Sequence, residues 1–151
     1  PFTAAPISPP NRGMAALRSS SCCRPSTSNG RPDFDLIISH NPGGEYSRHI
    51  RHEEVSKAVI KLWHAGKISA NELWIFAYED GDKKYYPKPI LSANVCNLLT
   101  ERIWQKKYSI ITETYGFEIS SFEAETTPRA ESFWQFTNSI DAQKWLNQFE
   151  N

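Results

Sequence analysis

Apolar and polar positions along this chain switch between a two-residue and a three-to-four-residue rhythm, and the switches mark its elements. Asp33-Phe34-Asp35-Leu36-Ile37-Ile38-Ser39 ends in a short apolar, β-branched run, the pattern of a buried strand. His40-Asn41-Pro42-Gly43-Gly44 follows and is a loop by its turn chemistry. From about Ile50 to Ala65, Val55, Ala58, Val59, Leu62 and Trp63 recur at helical spacing, and Gly66 supplies a stop. Glu53 and Glu54 fall in the first turns, where the aligned peptide dipoles favour negative charge. Leu73-Trp74-Ile75-Phe76-Ala77-Tyr78 is a second strand-like run, closed by the turn Glu79-Asp80-Gly81-Asp82. Strand, loop, helix and strand make one βαβ unit, which implies a parallel sheet.

Downstream, the apolar positions Val95, Leu98, Leu99, Ile103 and Ile110 predict one long amphipathic helix from Asn94 to about Thr114, ended by Tyr115-Gly116. The stretch from Phe117 to Phe136 reads as irregular or short-stranded, with Pro128 as a breaker. A last helix is expected over about Ile140 to Phe149, capped by Ser139, with Trp145, Leu146 and Phe149 facing inward.

The first 32 residues change the picture. They hold Arg12, Arg18, Arg24 and Arg31 with many Ser and Pro and no Asp or Glu, a composition that cannot bury enough apolar surface to offset the entropy of ordering. They are expected to be a flexible extension, with 33–151 as the α/β domain. An Arg- and Ser-rich, acid-free stretch also fits an organelle transit peptide; otherwise a cytoplasmic protein is expected. Cys22, Cys23 and Cys96 offer neither a disulfide framework nor a paired metal motif, and a reducing compartment follows as the default. Lys plus Arg equals Asp plus Glu at 17 each, which argues against a dedicated nucleic-acid binder or a membrane-surface protein. No apolar run approaches the roughly 20 residues of a membrane span.

Chemistry concentrates in GEYSRHIRHEEV, Gly44 to Val55, which leaves the carboxyl edge of the first strand, where open α/β sheets gather ligands. His49 and His52 share one face if the helix begins there. A metal held by His52 would then leave His49 near enough to stabilise developing negative charge. The spacing alone leaves a second reading open, a polar helix start whose imidazoles simply face solvent. His40 and His64 are assigned to packing or solvation. Asp35 falls on the strand, and Glu45, Glu53 and Glu54 are candidate further ligands with no geometry to favour one of them.

DFDLIISHNPGGEYSRHIRHEEVSKAV resembles a block of the PIG-L/LmbE-like family of metal-dependent sugar N-deacetylases: a strand, a Thr-His-like pair, Gly-Glu-Tyr, and an H-x-x-H pair opening a helix. ELWIFAYEDG and YGFEISSFEAETTPRAESFWQF are similar to the downstream part of such enzymes, so the likeness runs from Asp33 to Phe136. It implies a Rossmann-like three-layer αβα fold with a mostly parallel sheet, incomplete at its N-terminal side. It also implies a Zn2+ ligand at His52, an oxyanion-stabilising role for His49, and a contact to the carbonyl or sugar from Tyr46. Two departures stand out: Ile50 and Arg51 replace the usual Pro-Asp, and one extra residue separates Tyr46 from His49. The family's Ala-His-Pro-Asp-Asp-Glu block, source of its other two ligands and its general base, is not in this sequence.

The resemblance therefore implies the carboxyl-terminal portion of a deacetylase acting on an N-acetylglucosamine-type sugar or glycoconjugate, inactive alone, with self-association through an exposed sheet edge. The alternative is a non-catalytic carbohydrate-binding or interaction module in which Trp63, Trp74, Tyr85, Tyr86 or Trp134 stacks on sugar rings.

Overall fold

The computed structural model describes residues 26–28, 30–45, 48–79, 81 and 84–150. Strand β1 (Ser26–Ser28) turns at Gly30 into β2 (Arg31–Ser39), and the two pair antiparallel. The end of the Ser/Pro/Arg-rich stretch thus joins the sheet, while residues 1–25 lie outside the described part. Helix α1 (Ile50–His64) matches the expected bounds, but its buried face is turned from the expected stripe: Ile60 and Trp63 are buried with Val59 against them, while Val55, Ala58 and Leu62 are exposed. Its stop is the glycine expected: Gly66 sits at φ 66°, and its N–H bonds back to the Trp63 carbonyl at 3.0 Å. Strand β3 (Ser69–Phe76) then runs parallel to β2, with Ile37 opposite Leu73 and Ser39 opposite Ile75.

The sheet departs from the expected mostly parallel arrangement. Its order is β1-β2-β3-β7-β6, where β6 is Val95–Leu98 and β7 is Ala130–Phe136. Only β2 and β3 are parallel among these pairings; β7 runs antiparallel to both β3 and β6. The molecule is mixed α/β. A two-stranded ribbon, β4 (Tyr78–Glu79) with β5 (Lys88–Pro89), lies beyond the end of β3.

β6 replaces the first turn of the long helix expected from Asn94. Val95 and Cys96 pair with Phe133 and Ser132, and the Thr100 hydroxyl caps a new helix, α2 (Glu101–Ser109), by accepting the Ile103 N–H. A five-residue π-helical turn, Ile110–Thr114, continues it. The face predicted to be buried is not: Leu98 is 82% exposed, and Ile103 and Ile110 are exposed too. Helical spacing was present, but the ladder to β7 satisfies the backbone groups of Val95–Leu98 and overrides it. After the short helix α3 (Phe122–Glu125) and β7, helix α4 (Ser139–Leu146) is capped by Asn138 rather than Ser139, the Asn138 side chain accepting from the Asp141 N–H at 2.9 Å. A 3-10 turn at Asn147–Phe149 finishes the described chain.

Helices α1 and α4 pack side by side on one face of the sheet. Ile60 and Trp63 of α1, Ala142 and Leu146 of α4, and Leu73 and Ile75 of β3 form the buried core, edged by Ile37, Trp134, Phe136 and Trp145. Because side chains alternate along a strand, Trp74 and Phe76 must face the other way. There they meet Phe133 at ring-centroid distances of 5.3 and 5.2 Å. That second face is barer toward β2, where Leu36 is 40% and Ile38 51% exposed. Among the described residues, no helix is long and apolar enough to cross a membrane.

Candidate metal centre

The site is assembled at the carboxyl rim of β2, and Asn41 is its keystone. The Asn41 side chain donates to the Phe76 carbonyl at the end of β3 (3.1 Å) and accepts the Gly43 N–H (2.9 Å), while its own carbonyl accepts the Gly44 N–H (3.1 Å). This closes an Asx-type turn and ties the loop to the neighbouring strand. Gly44 adopts φ 98°, a left-handed backbone that side chains disfavour. Gly43 is needed for space instead, because a Cβ there would lie 2.7 Å from the Phe149 ring.

The turn delivers Glu45 beneath two imidazoles. His40, the residue after β2, pairs its Nδ1 with Glu45 Oε1 through a short contact, and His52 Nδ1 lies 3.5 Å from the same oxygen. The His40 and His52 rings are stacked, with centroids 3.8 Å apart and planes 8° from parallel. His49 stands beside them, its ring centroid 4.6 Å from that of His52. One ligand atom from each of His40, Glu45 and His52 falls within 4.8 Å of the others. Glu45 is only 5% exposed, and its second oxygen, Oε2, has no hydrogen-bond partner. A buried carboxylate oxygen without a partner is costly, and a cation is one way to satisfy it.

The electrostatics favour the neutral form of the His52 ring. Burial pushes the His52 imidazole below its ordinary value, and the neighbouring His40 and His49 push it the same way, against a smaller opposing pull from Glu45. A neutral imidazole offers the lone pair a metal requires. The carboxylate of Glu53, one residue on, is held low chiefly by its hydrogen bonds from Arg48.

These shifts predict a pH dependence of stability. A group whose folded value is depressed contributes stability above its unfolded value and loses it as pH falls through the folded one. For His52 that window opens downward from about 6.5, and for Glu53 from about 4.5. Thermal melts in chelator should therefore show a falling midpoint as pH drops from 7 through 6, with the upper part of the fall reduced in His52→Gln. An unchanged pH profile in that variant would show that His52 does not titrate as described.

No protein-family model, curated protein or solved structure matches this chain.

Of the residues expected at the site, His49 and His52 come together as the helical spacing predicts, and Tyr46 lies outside the described residues. His40, expected in packing or solvation, instead stacks on His52 and contacts Glu45. Of the three acidic candidates, Glu45 reaches the imidazoles, whereas Glu53 is bound by Arg48 and Glu54 pairs with Arg51; Asp35, expected on the strand, meets Asn71 there. A usable signal existed for His40. A polar residue immediately after an apolar strand, on the face of Ile38, lands at the carboxyl rim. Of the aromatic residues considered for sugar stacking, Trp63 is in the core and Trp134 packs at its edge against Trp145, whereas Tyr85 and Tyr86 are exposed on the outer ribbon side and Trp74 is half-buried on the barer sheet face.

Proposed function

We propose that this chain carries the metal-binding rim of an amide hydrolase that releases acetate from an N-acetylglucosamine-type sugar or glycoconjugate. The likeness to PIG-L/LmbE-like deacetylases in the histidine block motivates the reaction class. The observation that carries the reading is the convergence of His40, Glu45 and His52 at a strand's carboxyl rim, on a buried carboxylate whose second oxygen has no partner. Two imidazoles and one carboxylate suit zinc and also iron or cobalt, and they leave further coordination positions for other ligands.

His40, Glu45 and His52 would hold the cation, which when bound supplies Lewis acidity to polarise an acetamide carbonyl. His49 is exposed beside them and can donate a ring N–H to the oxygen on which negative charge develops. Glu45 contributes a fixed negative charge beneath the rings and keeps His40 oriented through its Nδ1. Hydrolysis also needs a base for the attacking water. Among the described residues, Glu45 is the carboxylate in the cluster, and the chain is proposed to be inactive alone. A Rossmann-like three-layer architecture is proposed for the complete arrangement, with the barer sheet face around Leu36 and Ile38 as the surface a third layer would cover. β6 ends the described sheet on one side, and self-association is proposed along that edge.

Calorimetric titration of the full chain with Zn2+ tests the metal reading, and acetate release from N-acetylglucosamine derivatives tests the reaction. A single site that His52→Ala weakens by about 100-fold or more is the expected result. Saccharide binding that persists in chelator, with no metal uptake, would move the assignment to a carbohydrate-binding module.

A further inference from the structure

We propose that Arg48 is a positioning residue that sets the separation of Glu45 and His52, an inference that rests on the metal reading above. Glu45 and His52 come from different local structures, a turn and a helix, and their relative placement needs a fixed connection. Arg48 supplies one from both ends. Its stem lies against Gly44, the neighbour of Glu45: a Cβ built on Gly44 would stand 3.2 Å from Arg48 Cγ and 3.5 Å from its Cα. Its guanidinium forks onto Glu53, the neighbour of His52, with Nε to Oε1 and Nη2 to Oε2 both at 2.9 Å. The Glu53 and His52 amides in turn donate to the His49 carbonyl, at 3.2 and 3.0 Å. One side chain thus spans from the residue before one ligand to the residue after the other, and His49 is held inside the span.

The planar, two-bond fork is what makes the span rigid; an ammonium group would hold the same charge without fixing an angle. The Arg48 side chain is 71% exposed but that of Glu53 only 10%, so removing Arg48 alone strands a buried carboxylate, and the double variant is what keeps the stability cost small. Ligand placement is far more sensitive, because groups that orient metal ligands typically change affinity by about 10–100-fold. The two effects therefore separate in experiment.

The test titrates the full chain with Co2+, following calorimetric heat and visible absorption, in wild type, Arg48→Met, Glu53→Gln and the double variant. Arg51→Met serves as the charge-matched control, since Arg51 pairs at 2.7 Å with Glu54 on the exposed side of the same helical turn. Affinity should drop about 10–100-fold in each single variant. The double variant, which strands neither charge, should bind no more weakly than the singles and should melt near the wild-type temperature without metal. Arg51→Met should bind as wild type does, and the Co2+ spectrum at saturation should change only when the fork is lost. Wild-type affinity in Arg48→Met overturns the strap, as does an equal loss in Arg51→Met. Absence of Co2+ binding by wild type removes the metal reading itself, and the strap with it.

Discussion

His52→Ala is expected to weaken Zn2+ binding by about 100-fold or more. Zinc sites with four protein ligands carry roughly 10–16 kcal/mol of binding free energy, or about 3 kcal/mol per ligand, and 1.4 kcal/mol is a factor of ten. A loss of that size is expected here, where three protein ligands converge among the described residues. Alanine also removes the ring stacked on His40 at 3.8 Å, which frees the remaining imidazole to turn away from Glu45. Competition titration against a chromophoric chelator measures the change. His64→Ala provides the comparison: that histidine lies exposed at the far end of α1, and its removal should leave the affinity unchanged. Equal affinities in wild type and His52→Ala would exclude His52 as a ligand.

Leu73→Ala is expected to destabilise the fold by about 2–5 kcal/mol. Leu73 is completely buried on the central strand β3, between Ile37 on β2 and Phe136 on β7 by register, and under the α1–α4 layer. Removing its isobutyl group forfeits the transfer free energy and leaves a cavity in a layer where neighbours on three elements cannot all collapse inward. For a chain of this size a loss of about 3 kcal/mol corresponds to a fall of roughly 6–12 °C in melting temperature. Leu36→Ala, on the barer face, should cost well under half as much, because much of that side chain already meets solvent. Chemical denaturation with unchanged slope would confirm the effect as one on stability. Comparable losses for the two variants would mean that the second face is covered in solution.

The sequence makes the β2–α1–β3 unit legible, for reasons that are local. Val59 and Trp63 lie on one helical stripe, Gly66 occupies a left-handed stop, and Leu73 and Ile75 alternate with Trp74 and Phe76. Where local and long-range preferences disagree, the reading fails. Val95 to Leu98 fits a helical period and a strand equally well, and only its partner β7, more than thirty residues away, decides between them. The same limit governs the site. The H-x-x-H spacing places His49 and His52 together because a helix turn does so directly. His40 and Glu45 join them through the turn at Asn41, whose shape depends on a hydrogen bond to Phe76, a residue on another strand. The contact of Glu45 with the imidazoles, which distinguishes it from the equally buried Glu53 and the exposed Glu54, has no signature in spacing at all.

The anchoring of Asn41 to Phe76 also orders events in time. β1 and β2 can zip from a tight turn, but β2 and β3 are parallel and must wait until the intervening helix has bridged them. The histidine loop acquires its anchor only when that crossover is complete, so it forms late. By the same linkage, any fluctuation that parts β2 from β3 releases the loop and scatters the three cation-facing side chains together.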